Sequence, residues 1–296
     1  KLNVQTMYND DEIYEAVKNG KACGIIITEA HIAERLANEG ELAKLKHNSL
    51  YNLKNSDPLF LINYFDTSYI YTVPYARSYS GLTFNYRKIK NFKASWLMLD
   101  KVEDFEFRMA MEDDMRLAIG AALKYLGYSV NTVDENQLNQ ALTILKRWKS
   151  LSMRFESSER SRLIISNQLW TIQSDNREAM IAMQKNSDLL FVIPEEGTMI
   201  LTLCMAIPEH TKNLVMAHKF INFFNKPHVA EKNMRFLHCQ SPNVEASRLM
   251  PLDFHNNNLI FPPPDTLAKS EVLRDVGKYS FRYEKIWVAL KAAKDE

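Results

Sequence analysis

The sequence predicts an α/β fold in two domains, and three observations carry that expectation. The chain opens on a β-α-β-α alternation, with strands at 2–7 and 23–27 and helices after Asn9 and Thr28. Such alternation is the pattern of a parallel sheet with helical crossovers. Residues 199–207 form a mid-chain run that is apolar except at Thr202, which suits a strand covered by helices on both faces. The length of 296 residues fits two medium domains better than one.

From the N-terminus, Asn9 is read as a helix cap completed by Glu12 as a capping box, with Ile13 and Val17 inside and Gly20 as the stop. Thr28 is read as the cap of the second helix, whose inner stripe is Ile32, Ala33 and Leu36 and whose stop is Gly40. Residues 41–68 have no period, and Asp57-Pro58 marks a turn. Two strands are expected at 69–75 and 82–85, separated by a polar turn at 77–81. A linker precedes a strand at 107–111 and a helix at 115–126 that Gly127 closes. Thr132 and Glu135 read as a capping box for a helix whose Leu138, Ala141, Leu142, Leu145 and Trp148 recur at helical spacing. A strand is expected within 163–172, and Ser174 or Asp175 caps a helix reaching Lys185. Strands 189–193 and 199–207 flank a turn made by Pro194 and Gly197. Helices at 211–224 and from Pro227, a turn at 240–243, a rigid loop at 261–264 and helices within 273–290 complete the chain.

Composition is that of an ordinary globular protein, with 46% hydrophobic and 25% charged residues. A net charge of +1 and a pI of about 7.8 give no general drive toward nucleic acid or an anionic membrane. No run has the length of a membrane-spanning helix, and the first residues do not read as a signal peptide. The three cysteines, Cys23, Cys204 and Cys239, have no CxxC spacing, and the first two lie in apolar runs. His210, His218, His228 and His238 lack the i, i+4 spacing of a helical metal site. GxGxxG, GxxxxGK and GxSxG are absent, which removes nucleotide cradles and nucleophile elbows. No cofactor, no metal and no catalysis are expected.

Open sheets bind ligands outside the carboxyl ends of their strands, beside helix N-termini. Glu29, with His31 two residues on, Asp114 and Asp175 each occupy such a strand-to-helix junction. Helix capping alone explains an acid at each place. Gathered at one site, the three carboxylates would form a receptor for a cation. Arg77 and Ser80, near the domain boundary, are further candidates to line a binding cleft.

Several stretches resemble the spermidine/putrescine-binding family of substrate-binding proteins that serve ABC polyamine importers. They are Ala-Leu-Lys-Tyr-Leu-Gly-Tyr-Ser-Val-Asn-Thr ending at Thr132, Val-Ile-Pro-Glu-Glu-Gly ending at Gly197, and Met-Ala-Ile-Pro-Glu-His-Thr-Lys-Asn ending at Asn213. Phe-Ile-Asn-Phe-Phe-Asn-Lys-Pro-His-Val-Ala ending at Ala230, Ser241-Pro-Asn243 and Asp275-Val-Gly277 belong to the same pattern. The resemblance is nearly colinear over the chain. It implies a two-lobed periplasmic-binding-protein (type II solute-binding) fold with a hinge and an interlobe cleft. Lobe one is then 1–79 and 201–248, and lobe two is 80–200 and 249–296. Residues 2–4 resemble the family's second strand, so the family's first strand unit, which carries a Tyr-Asn-Trp-type motif, is expected to be missing. The family's serine-and-tyrosine loop aligns with 28–31, and its junction acid is matched by Asp114. Other polyamine contacts fall on Leu117, Asp175, Leu201, Leu203, Cys239 and Leu273. The implied function is an extracytoplasmic receptor that hands a polyamine to a membrane permease, as a monomer, periplasmic or lipoprotein-anchored. The alternatives are a receptor for a different cationic or polar solute, and a homologue without a ligand that serves as a scaffold.

Overall fold

Several helix starts in this protein follow side-chain chemistry. In the computed structural model, which describes residues 3–7, 9–22, 24–61, 64–100, 108–151, 154–156 and 158–293, the elements in chain order are as follows. The first half holds α1 (Asp10–Lys18), β1 (Ile26–Glu29), α2 (Ala30–Asn38), β2 (Thr72–Asn85), β3 (Met109–Glu112), α3 (Met115–Tyr125) and α4 (Glu135–Ser150). Next come β4 (Arg154–Glu156), α5 (Arg160–Ile165), β5 (Thr171–Asp175), α6 (Asn176–Lys185), β6 (Leu189–Val192) and β7 (Met199–Ala206). The chain continues through α7 (Leu214–Phe224), α8 (Pro227–Leu237), α9 (Val244–Arg248), α10 (Leu252–His255), α11 (Pro264–Leu267), β8 (Glu271–Val272) and α12 (Ser280–Ala292). Asn9 caps α1 by accepting from the Glu12 N–H, and Asn213 and Asn243 cap α7 and α9 in the same way. Pro227 occupies the first turn of α8, where its missing N–H costs nothing.

The chain falls into two units. Unit 1 is Lys1–Arg77 with Leu201–Phe261, and unit 2 is Ser78–Ile200 with Pro262–Glu296. The passages lie inside β2, inside β7, and after Phe261, where the sequence placed the last one at 248–249.

In unit 1, β1 pairs antiparallel with β7, from Ile26 opposite Ala206 to Glu29 opposite Leu203. Cys204 and Ala206 pack with Val17, Ile26, Ala33 and Leu36, whereas Met205 and Ile207 pack with Val73, Ala217 and Ile221. Alternate residues at the end of β7 therefore enter two cores, which is why the run from Leu203 to Ile207 is apolar on both faces. In unit 2, β3 runs parallel to β4 and β5, and β2 runs antiparallel to β5 and β6. Met109 and Met111 join Leu82, Ile119, Trp148 and Tyr283 in one core, and Ala110 joins Leu163, Ile172 and Leu189 in another.

Several expectations need correction. Residues 3–7 are not a strand; Val4 is 73% exposed, and without a hydrogen-bonded neighbour an extended segment forms no ladder. Cys23 and Phe107, expected strand starts, lie outside the described residues. Thr28 is inside β1, and Glu29 occupies the cap position of α2. The strands expected at 69–75 and 82–85 are one, β2, with no turn between them. Gly81 permits this. A Cβ there would lie 2.4 Å from the Val192 carbonyl oxygen and 2.6 Å from the Phe191 ring, so β6 can approach only a glycine. The stretch 163–172 divides into α5 and β5. Asp134 rather than Thr132 caps α4, accepting from the N–H groups of Asn136 and Gln137. Gly197 holds φ at +91° in the turn before β7, with Lys269 backbone where a Cβ would stand.

Candidate functional site

Because β3 and β5 are parallel neighbours, their carboxyl ends lie side by side, and so do the N-termini of α3 and α6. Acids of the two junctions interact. Asp114 caps α3, its Oδ1 accepting from the Leu117 N–H at 2.9 Å. Asp175 caps α6, its Oδ1 accepting from the Glu178 N–H at 2.9 Å. The other Asp175 oxygen accepts from Arg177 Nε at 2.8 Å, from Arg177 Nη2, and from Ser78 Oγ at 3.4 Å. Burial alone would raise the Asp175 carboxyl; the Arg177 guanidinium, the Glu178 N–H and Arg160 outweigh it and hold the group below the usual range.

Arg160, 7% exposed, spans two further acids. Its Nη2 lies 3.0 Å from Glu112 Oε1 and 2.8 Å from Glu178 Oε2, and its Nη1 donates to the Glu156 carbonyl at 2.9 Å. Burial pushes Glu112 up to about 8; Arg160 opposes this, and Glu178, Asp114 and Asp175 reinforce it. With Glu112 holding its proton near neutral pH, Asp114, Asp175 and Glu178 still outnumber the guanidiniums of Arg160 and Arg177 at this junction, which favours a cationic ligand over an anion.

A pH prediction follows. The folded Glu112 binds its proton more tightly than the unfolded side chain, so its contribution to stability is present below the ordinary carboxylate range and is lost as pH rises through about 8. Thermal melts from pH 5 to 9 should show wild-type stability falling by a few kcal/mol, as an order of magnitude. Glu112→Gln should flatten that slope. An unchanged slope in the variant would remove Glu112 as its origin.

The six residues singled out from the sequence divide between the units: Glu29, His31 and Arg77 in unit 1, Ser80, Asp114 and Asp175 in unit 2. Asp114 and Asp175 are brought to one junction. Ser80 sits opposite Asp175 in the β2–β5 register, fully buried, with Gln173 Nε2 donating to its hydroxyl at 3.4 Å. Glu29 ends β1 and makes no side-chain capping bond to α2. His31 is buried, with Nε2 3.2 Å from Asp10 Oδ2 of α1. Arg77 stacks on Phe60 at 4.0 Å and donates to the Phe60 carbonyl. Its backbone is inside β2, which replaces the turn expected there.

Glu112, Arg160, Arg177 and Glu178 were not singled out. Arg177 follows Asp175 by two residues, a local signal that could have found it. The Arg160–Glu112 pair joins α5 to β3 and leaves no local trace. Where the resemblance aligns polyamine contacts, Leu117, Leu201, Cys239 and Leu273 are buried. Leu203 stands opposite Glu29 in the β1–β7 pair. None of the four leucine side chains can accept from an ammonium. Cys204 and Cys239 are both buried, and burial pushes the Cys204 thiol up to about 12. Among the described residues, no group of His, Cys, Asp and Glu is placed to hold a metal ion, and no helix is long and apolar enough to cross a membrane.

Comparison with known proteins bears on the family and the fold. The chain is 30% identical to spermidine/putrescine-binding periplasmic protein 1 of Haemophilus influenzae, over 99% of its own length and 82% of that protein's. It is 29% identical to the spermidine/putrescine-binding periplasmic protein of Salmonella typhimurium, over 99% of its own length and 85% of the relative's. The solved structure of a putative spermidine/putrescine ABC transporter from Listeria monocytogenes superposes with a TM-score of 0.90 at 26% identity, covering 98% of this chain and 90% of that one. The fold is therefore the α/β type II fold of periplasmic binding proteins, as the resemblance implied. Residues 2–254 match the family described as bacterial extracellular solute-binding protein, and the chain belongs to that family.

Proposed function

We propose that the protein is the solute receptor of an ABC importer and that its solute is a polyamine or a closely related cation. The observation that carries this reading is the excess of carboxylates over guanidiniums where β3 and β5 end, with Asp114 and Glu178 at the same junction as the Arg-bound Asp175. A diamine needs carboxylates for its ammonium ends and apolar or aromatic faces for its methylenes. Glu29, His31, Arg77 and Ser80 are proposed as further lining. The receptor works outside the cytoplasm, periplasmic or lipid-anchored, hands its solute to a membrane permease and performs no chemistry on it. It acts as a monomer and takes no nucleic acid, metal or cofactor. Names of relatives support the ligand class, since they bind spermidine and putrescine.

Affinity is expected to be modest. Leucines stand at 117, 201 and 203, and Arg177 already engages Asp175. Each charged hydrogen bond is worth about 1.5–3 kcal/mol. Two lost against one gained predicts putrescine and spermidine binding roughly tenfold to a hundredfold weaker than in a relative with the full set. Asp114→Asn should weaken it by more than about tenfold again. Asparagine caps a helix as well as aspartate, so this variant tests charge without removing the cap of α3. Isothermal titration measures both. Sub-micromolar putrescine binding would contradict the weakened site, and an unaffected Asp114→Asn variant would exclude that carboxylate. A solute carrying a carboxylate beside its amine is the second reading, favoured by Arg177 at the same junction. Heat from such a zwitterion with none from any polyamine would select it, and silence toward both would select the scaffold.

A further inference from the structure

Unit 1 carries a groove of about 460 Å³ between residues 46–51 and α7. Buried polar contacts hold its two walls in place. The Lys46 N–H donates to His218 Nε2 at 2.9 Å, so Nδ1 carries the proton of the neutral ring and donates to the Leu214 carbonyl at 2.7 Å. The Asn52 N–H donates to Asn222 Oδ1 at 2.9 Å, and Asn52 Nδ2 donates to the Asn222 carbonyl at 2.8 Å. The groove is therefore a fixed shape and not a gap between loose segments.

Its lining joins two properties that are costly on a free surface. Tyr51, Val215 and Phe223 are 64%, 66% and 47% exposed. Lys46, Lys219 and Lys226 stand among them, and among the described residues no Asp or Glu lines the groove. None of these ammonium groups has a carboxylate partner among the described residues. Lys226 Nζ lies 5.5 Å from the Phe223 ring centroid, over its face. Exposed apolar side chains rimmed by polar groups mark interaction surfaces. Uncompensated charge of one sign calls for the opposite sign on the partner, where it steers encounter and fixes register. Concavity distinguishes the occupants. A projecting side chain fills a groove, whereas a bilayer surface is met by a helix lying flat in the interface.

We infer that this groove is a docking surface for an acidic protein segment that projects one apolar anchor, and that the segment lies on the extracytoplasmic face of the importer's permease. The inference rests on the receptor reading above and adds the chemistry of the contact. The anchor fills the space between Val215 and Phe223, and carboxylates beside it meet Lys46, Lys219 and Lys226.

The test uses the whole protein with its cognate permease–ATPase complex in lipid nanodiscs, and putrescine as solute. ATPase stimulation is measured against receptor concentration and salt, and putrescine affinity is measured separately by titration. For Lys219→Glu/Lys226→Glu and for Val215→Ser, the half-stimulating concentration should rise about tenfold or more. Wild-type stimulation should weaken with salt, and putrescine affinity should not change. All three positions are at the surface, and circular dichroism checks that the variants fold. Variants that stimulate as wild type does would overturn the inference and leave the receptor reading standing. Wild type that binds putrescine but stimulates nothing would overturn the assigned partner. Failure of both binding and stimulation would overturn the receptor reading as well. Two other occupants are tested alongside. Lysine-dependent sedimentation with phosphatidylglycerol vesicles, or Val215-dependent self-association in the ultracentrifuge, would reassign the groove and overturn the inference if ATPase stimulation were unchanged in the variants.

Discussion

Arg160→Leu is expected to destabilise unit 2 by about 3–5 kcal/mol at pH 9 and to lower Tm by roughly 10 °C. The guanidinium is 7% exposed and lies between Glu112 and Glu178. Removing it leaves two acids facing each other with no cation between them, and the Glu156 carbonyl loses one of its two donors, keeping only the Asp113 N–H at 3.3 Å. The loss should shrink toward pH 5, because Glu112 already takes a proton readily and can neutralise itself once the pairing is gone. Combining Arg160→Leu with Glu112→Gln should recover part of the loss at pH 9, since breaking one half of a buried pair costs more than replacing both. Urea melts at both pH values measure this. Equal losses at pH 5 and pH 9, or a loss below about 1 kcal/mol at pH 9, would show that Arg160 behaves as a surface cation.

Gly81→Val should be worse and insensitive to pH. The added Cβ would stand 2.4 Å from the Val192 carbonyl oxygen and 2.6 Å from Phe191 Cζ, before the two methyl groups are counted. Leu82 pairs with Val192 and Thr83 with Phe191, so the clash sits at the end of the β2–β6 ladder. Neither side can yield cheaply, because β2 is also paired to β5 through Ser80 and Gly81. A penalty above about 4 kcal/mol is expected, with Gly81→Ala intermediate. Amide exchange should rise across 82–85 and 189–192, or the chain should fail to accumulate in soluble form. Wild-type melting of Gly81→Val would contradict the close approach of β6.

Gly81 is also where the sequence misleads. A glycine after Arg-Ser-Tyr-Ser reads as a turn by every local criterion, and nothing nearby records that another strand needs the space. The same limit explains α5, a helix too short to display a period, which merged in the sequence with β5. Thr132 and Asp134 are both competent caps separated by two residues, and only the geometry of α4 selects between them. The strand-to-helix junctions were legible because caps are local: Asp114 and Asp175 were found as acids at helix starts, and both cap in fact. Their surroundings were not legible. Arg160 reaches Glu112 across 48 positions of sequence, and such a pair has no signature in a single chain. The mostly apolar character of β7, broken only by Thr202, was readable because burial on both faces imposes itself on most of the strand.

The two strands that pass between units also order events during synthesis. When residue 77 has left the ribosome, unit 1 still lacks 201–261, and β1 has no antiparallel neighbour until β7 is made. Unit 2 is synthesised almost whole in between, yet it waits for 262–296, whose α12 places Tyr283 and Ile286 in its main core. Loop closure over such separations is slow. The nascent chain therefore emerges with its apolar strands unpaired for most of translation, the condition in which a chaperone can hold it and a narrow channel can still thread it.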